Sequence, residues 1–231
     1  MKILISVVSH DQQVLVENLL RSMDRYIKCS THQVIIVLTE NCRTSNYASS
    51  EKFELKRINN LRQKGFGANH NAAFERFESD FFFIVNPDIL LTEILDLDLI
   101  VNYVLDFKID IGSPVILNWS GIVEDYKRSD ISFWNLLKRK IFKSHQERFD
   151  WLAGMFLVVS SESFGKLRGF DSKFFMYVED CDLSMRARKA GMNVEDLNDF
   201  SVVHDARRSS LRSFKHLKWH LTSLFKYWFL K

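Results

Sequence analysis

The chain has 231 residues, 46% of them hydrophobic and 26% charged, enough for one sizeable core and the balance of an ordinary globular protein. The formal net charge of +3 is small, but acids gather between Glu162 and Asp199 while Arg207 to Lys231 carries many bases and no acid, so a site built from acidic groups and a basic, adhesive end are expected. Cys29, Cys42 and Cys181 are odd in number and far apart, without the spacing of a zinc site or a disulfide framework, which points to a reducing, cytosolic compartment. Met1 to Val8 is too short for a signal-peptide core, and no run approaches the ~20 apolar residues of a membrane-spanning helix.

In chain order, Lys2 to Val8 reads as a buried strand that ends in Ser-His-Asp, followed by a helix over Gln12 to Arg25. Gln33 to Leu38 is a second strand. Asn59 to Gly67, rich in Asn and Gly, is a loop leading into a helix over Asn69 to Phe77. Phe81 to Val85 is a solidly apolar strand stopped by Asn86-Pro87-Asp88, because proline cannot donate to a ladder. A helix over Thr92 to Phe107 and a strand over Ile111 to Leu117 follow. Asn118 to Arg148 mixes aromatic and basic residues without strand signals, as a lid or acceptor-side insertion would. Met155 to Ser160 is a strand, Ser161 to Leu167 a short helix, Glu179 to Ala190 a helix stopped by Gly191, and Phe200 to Val203 the last strand. This alternation predicts an α/β fold with a mostly parallel sheet covered on both faces.

Asp88 follows an apolar strand, so its carboxylate stands on a rigid rim at the sheet's carboxyl edge, where open α/β sheets bind ligands; a hard oxygen there suits Mg²⁺ or Mn²⁺ carrying a diphosphate. A proline turn with a solvated acid is the plainer reading. Glu179-Asp180-Cys181-Asp182 sets three carboxylates in four residues at a helix start. One acid there serves the helix dipole, but three exceed that need, and their repulsion raises the proton affinity of at least one, which suits a general base. His204 ends the run Ser201-Val202-Val203 and gains meaning only beside Asp88. Gly65-Phe66-Gly67 fails the dinucleotide pattern, since His70 stands at the third glycine's place, and reads alone as a tight turn before a helix.

Taken in order, Val7-Val8-Ser9-His10, Thr39-Glu40-Asn41, Lys64 to Asn71, Asn86-Pro87-Asp88, Asp150 to Gly154, Gly169-Phe170-Asp171, Phe174 to Leu183 and Val203-His204 resemble the bacterial family 2 glycosyltransferases, most closely the rhamnosyltransferase branch of O-antigen assembly. The resemblance runs from Ile3 to about His204. It implies a GT-A fold, inversion at the anomeric carbon and a nucleotide-diphosphate-sugar donor, dTDP-L-rhamnose or a UDP-sugar. By similarity Ser9, Glu40 and Asn41 line the nucleoside pocket with Gly67 and Asn71 nearby. Asp88 matches the last acid of the family's Asp-x-Asp metal motif, His204 the later metal-associated histidine and Asp180 the catalytic base, with Glu179 and Asp182 as supporting acids. Asn86, Trp151 and Gly154 shape the donor and acceptor pocket. Asn86 replaces the motif's first acid, which removes a charge and weakens metal affinity, and Glu40 stands where an Asp is usual.

We divide the chain into a transferase domain over 1–206, with a nucleotide-sugar-binding half (1–90) and an acceptor and catalytic half (91–206), and a basic helix over 207–231. In that tail Leu211, Phe214, Leu217, Leu221, Leu224, Phe225 and Trp228 recur at helical spacing among Arg212, Lys215, Lys218 and Lys226. Such a helix suits anionic lipid on the cytoplasmic face of the inner membrane, near a lipid-linked glycan acceptor, or it docks on the core or on a second copy in a homodimer. Two other classes use the same residues: a metal-dependent phosphoesterase or nuclease built on Asp88, Glu179 to Asp182 and His204, and a nucleic-acid binder using the tail. The tail lacks a recognisable nucleic-acid motif, so no nucleic-acid partner is expected.

Overall fold

The computed structural model describes residues 1–41, 46–129, 131, 149–205 and 214–230, with only the backbone at 214 and 215. Cys42, the start of the basic tail with Leu211 and Arg212, and most of the aromatic and basic insertion lie outside them.

Eight strands form the central sheet, in the order β4-β3-β1-β5-β11-β8-β12-β6. They are β1 (Lys2–Ser9), β3 (Gln33–Asn41), β4 (Glu54–Asn60), β5 (Phe81–Val85), β6 (Ile89–Leu90), β8 (Ile111–Leu117), β11 (Phe156–Ser160) and β12 (Val194–His204). Two short pairs complete the strands: β2 (Ile27–Lys28) with β7 (Leu95–Asp96), and β9 (Lys127–Arg128) with β10 (Trp151–Leu152). Among the described residues the helices are α1 (Gln13–Tyr26), α2 (Phe66–Arg76), α3 (Leu97–Asp106), α4 (Ser161–Lys166), α5 (Glu179–Lys189) and α6 (Phe214–Phe229).

The apolar runs explain the centre of the sheet. Every residue of β5 is buried, as expected where both faces are covered. β1 is parallel to β3 and β5, and β3 to β4; α1 lies in the crossover from β1 to β3 and α2 in that from β4 to β5. Four strands therefore finish at one edge, delivering Ser9, Asn41, Asn60 and Asn86 side by side. Beyond β5 the direction reverses: β11 is antiparallel to both β5 and β8, and β12 then runs parallel to β8.

Several elements differ from the sequence expectation. β4 is a strand the sequence did not announce, its last two residues falling in the loop expected from Asn59, because this outer strand (Glu-Leu-Lys-Arg-Ile-Asn-Asn) buries only Ile58 and carries almost no apolar signal. β12 starts six residues before the expected Phe200; its first half is polar, and its register with β8 slips between Leu197 and Ser201. The helix expected from Thr92 begins at Leu97, since β6 and β7 use the preceding residues and Asp96 caps α3 by accepting from Leu99 N.

α2 packs on β1 and β3 and against Phe170, whose ring joins Phe164, Phe74 and Phe82 in a chain of tilted and edge contacts. A Cβ on Gly67 would lie 2.6 Å from the Phe170 Cβ, so this glycine is fixed by close approach. Gly67→Ala should cost about 1–3 kcal/mol through overpacking, read as a fall in the thermal or denaturant midpoint; an unchanged midpoint would show that α2 and Phe170 separate freely.

Candidate active site

A cleft of about 310 Å³ opens at the carboxyl edge of the sheet, and Asn41, Asn86, Asp88, Gly154, Glu179 and Asp180 line it. Asp88 and Asp180, ninety-two residues apart in sequence, thus face one space. A second cleft of about 310 Å³ adjoins it, walled by Arg128, Trp151, Tyr177 and His220, and Asp180 lines this one too. A larger groove of about 700 Å³ lies at the opposite, amino edge around Lys28, Cys29, Val34 and Glu54; no motif residue reaches it.

Asp88 sits where β5 breaks at Pro87. Its carbonyl accepts from Asp205 N at 2.7 Å and the next residue, Ile89, pairs with His204, so the two ends of chain are stitched together. His204 Nε2 is 3.2 Å from Asp88 Oδ2 and its Nδ1 is 2.8 Å from Glu124 Oε2. Burial opposes charge on this imidazole, but the bonds to Asp88 and Glu124 outweigh it and raise His204 to about 9. Asp88 Oδ1 is buried and has no hydrogen-bond partner among the described residues, which leaves one hard oxygen directed at none of their donors. Among the described residues no three His, Cys, Asp or Glu side chains converge as a self-sufficient metal site. A cation held by one or two protein groups and completed by phosphate and water oxygens fits such a donor set.

Asp180 lies in the first turn of α5. Its Oδ2 accepts the Gly154 N–H at 2.9 Å and its Oδ1 the Cys181 N–H at 2.9 Å, which fixes the carboxylate between the two clefts. Glu179, beside it, is buried and its Oε2 has no partner among the described residues; burial first, and the Asp180 charge second, push it up to about 8. The repulsion expected from three adjacent acids thus acts on Glu179, and desolvation exceeds it. Asp182 turns away and pairs with Arg186 at 2.7 Å, while Arg186 also donates to Leu167 O and Gly169 O. Its evident task is to hold the chain before the motif.

The nucleoside-side residues separate into two groups. Ser9 is buried and accepts from Gln12 N at 3.3 Å. Asn41 lines the cleft and belongs to an amide network: it accepts from Asn60 Nδ2 at 2.9 Å and from Lys64 N at 3.2 Å, and Asn60 also donates to Asn69 at 2.8 Å. Glu40 stands behind, buried and paired with Arg57. Gly67 and Asn71 do not line the cleft. Asn71 clasps the Phe170 backbone, donating to its carbonyl at 2.8 Å and accepting its N–H at 2.9 Å, and Phe66 N donates to Phe175 O at 2.9 Å. The glycine and asparagine motif therefore receives the segment that leads to Asp180. Trp151 is buried under the Arg128 guanidinium, 5.2 Å from its ring, and donates to Ser129 O. Sequence reasoning missed Glu124, Arg128, His216 and His220, none of which stands in a spacing pattern that marks it, and gave no role to Tyr177 although it lies within the Phe174 to Leu183 motif.

WbbL, a rhamnosyltransferase of Escherichia coli (strain K12), is 31% identical over 185 residues, covering 71% of this chain and 69% of WbbL. The chain belongs to the family 2 rhamnosyltransferases. A further relative of this rhamnosyltransferase, the N-acetylglucosaminyl-diphospho-decaprenol L-rhamnosyltransferase of Mycobacterium tuberculosis, is 38% identical over 76 residues, 32% of the chain and 25% of that protein. No family model matches. Among solved structures, a mannosyltransferase of Pyrobaculum calidifontis, determined with GDP-Man and Mn²⁺, aligns with a TM-score of 0.61 at 15% identity over 97% of the chain and 64% of its own. TarS of S. aureus aligns with a TM-score of 0.64 at 15% identity over 100% of the chain and 44% of its own. The rhamnosyltransferase thus has the GT-A fold, as the sequence implied, and is a glycosyltransferase.

The raised Glu179 carboxyl has a consequence for stability. Between its ordinary 4.5 and about 8 the folded rhamnosyltransferase keeps a proton that the unfolded chain releases, so stability falls as pH rises through that window. Glu179→Gln should flatten the decline of the melting temperature between pH 5 and 8; a variant with the parental slope would show that Glu179 is ionised in the fold.

Proposed function

We propose that the protein transfers one sugar, with inversion, from a nucleoside-diphosphate sugar bound in the first cleft to a hydroxyl of a lipid-linked saccharide entering through the second. The observation that carries the proposal is that Asp180 lines both clefts, where a base must touch the acceptor oxygen while the donor's anomeric carbon lies beyond it. Asp180 takes the proton as the acceptor oxygen attacks from the face opposite the leaving diphosphate. The Gly154 N–H keeps that carboxylate oriented, and positioning with general-base help accounts for about 10²–10⁴ of the rate.

Asp88, through its unsatisfied Oδ1, would hold a divalent cation, Mg²⁺ or Mn²⁺, and His204 would join it only once the cation displaces the proton that Asp88 and Glu124 keep on the ring. Bound there, the cation supplies charge neutralisation to the departing diphosphate. Mn²⁺ in the Pyrobaculum mannosyltransferase and in GalNAc-T7 supports this cofactor. Ser9 and the Asn41 network would receive the nucleoside, with Glu40 behind them; Gly67 and Asn71 act from the second layer. dTDP-L-rhamnose is the preferred donor and a lipid-linked, diphosphate-bearing glycan the preferred acceptor, on the names of WbbL and the decaprenol-linked enzyme; O-antigen or related surface polysaccharide is the corresponding product. A phosphoesterase would need no second cleft beside the base.

We further propose peripheral contact with the inner membrane at its cytoplasmic face. Among the described residues no helix is long and apolar enough to cross a membrane. On α6 Leu217, Leu221, Phe225 and Phe229 are each more than half exposed and four residues apart, a stripe that fits an interface between headgroups and acyl chains. A homodimer is the other occupant of that stripe, and the flotation result below distinguishes them.

Asp180→Asn should reduce turnover by at least about 10² while nucleotide-sugar binding, read by thermal shift with Mn²⁺ or Mg²⁺, is kept; a variant transferring sugar near the parental rate rejects the base. Replacing Leu217, Leu221 and Phe225 by glutamine should abolish flotation with anionic liposomes and leave transfer to a short soluble acceptor intact. Unchanged flotation rejects the lipid contact.

A further inference from the structure

Tyr177 and Val178, the two residues before α5, both have left-handed backbone, with φ of 71° and 74°. For a β-branched residue such as Val178 this conformation is unfavourable and persists only where surrounding structure imposes it. Val178 also occupies the N-cap position of α5 without any side-chain cap, so the helix that bears Asp180 starts from a turn its own sequence does not favour. Something outside the turn must hold it.

On one side the holder is α2, through the Phe66 N–H to Phe175 O and the Asn71 clasp on Phe170. On the other side it is α6, the helix the sequence suggested for lipid or for docking. Its inward face meets the same segment four times. Lys226 Nζ donates to Lys173 O at 2.6 Å, Ser223 Oγ donates to Met176 O at 2.9 Å, the Trp219 ring packs on Phe175 at 4.8 Å, and His216 Nδ1 bonds the Tyr177 hydroxyl at 2.7 Å. Ser223 is buried under the helix, and Tyr227, also buried, approaches the Cys181 sulfur in α5 at 3.9 Å. Two of these contacts seize backbone carbonyls, which fixes where the chain runs whatever the side chains are.

We infer that α6 is a positioning strap for catalysis: its inward face locks the left-handed Tyr177–Val178 turn and so aims the Asp180 carboxylate at the junction of the two clefts. The inference rests on the assignment of Asp180 as base, and it separates the two faces of α6. The outer apolar stripe is free for a lipid surface while the inner polar face belongs to the active site. A displacement of the reacting carboxylate by about 1 Å is enough to lower turnover by about 10², so the strap acts on kcat rather than on donor affinity.

Ser223 and Lys226 line neither cleft and their side chains hydrogen-bond backbone carbonyls, so they test the strap without touching a substrate. The double variant Ser223→Ala, Lys226→Met in the full-length protein should lower kcat at least about tenfold, with the donor dissociation constant within about twofold of parental and a cooperative melting transition retained. Lys226→Arg alone, which keeps an N–H donor for Lys173 O, should retain most of the parental kcat. Parental kcat in the double variant overturns the inference, as does a rise in donor dissociation constant that accounts for the whole loss. If the double variant does not fold, the single variants Ser223→Ala and Lys226→Met decide by the same criteria. An active Asp180→Asn would sink the base assignment and the strap together; an inactive Asp180→Asn beside a fully active double variant would sink the strap alone.

Discussion

The pairing of β5 with β11 is the contact from which the rest of the site follows. Val85 lies opposite Phe156 in this antiparallel ladder, and the Asn86 N–H continues it to Met155 O at 2.9 Å. The chain entering β11 is thereby forced alongside the Asn86-Pro87-Asp88 break, and Gly154 is placed within 2.9 Å of Asp180. A bulkier residue at 154 would press its Cβ to within 3.4 Å of the Asp180 Cβ. The Asp88 side and the Asp180 side of the cleft are thus joined by one backbone ladder, which a sheet can hold far more rigidly than a loop can.

Around this ladder the acids have different tasks, set by what each one touches. Asp182 is neutralised by Arg186, Glu40 by Arg57, and Asp88 shares His204 with Glu124. Glu179 has no cation among the described residues, and burial drives it towards its neutral form. Asp180 is left with two backbone donors, a pattern that orients a carboxylate without cancelling its charge. The sequence presents Glu179, Asp180 and Asp182 as one acidic cluster, whereas the fold assigns them to separate neighbours.

The apolar strands were legible because β1, β3, β5, β8 and β11 are buried on both faces and so read as continuous hydrophobic runs. The outer strand β4 and the polar first half of β12 were not, because solvent or polar contacts accept their side chains and erase the pattern. The reversal at β11 was equally hidden: strand direction depends on the connections, and no residue of Phe156–Ser160 encodes it. At the site, Asp88, Asp180 and Gly154 could be named because they stand in ordered motifs. Glu124 and His216 could not, since each owes its place to long-range packing, 80 residues from His204 and 39 from Tyr177 respectively. The stripe predicted for the tail was real but split: Leu224 and Trp228 pack towards the core, while Leu217, Leu221 and Phe225 remain outside. Helical spacing alone does not say which of two apolar faces a helix buries.

The most direct test of the account is an anomalous difference map from crystals grown with Mn²⁺ and a thymidine or uridine diphosphate. The account predicts a manganese peak within bonding distance of the Asp88 carboxylate, with the diphosphate between it and Asp180 and the nucleoside beside Ser9 and Asn41. Nucleotide and metal seated elsewhere, at the amino-edge groove around Lys28 and Glu54 for instance, would contradict it.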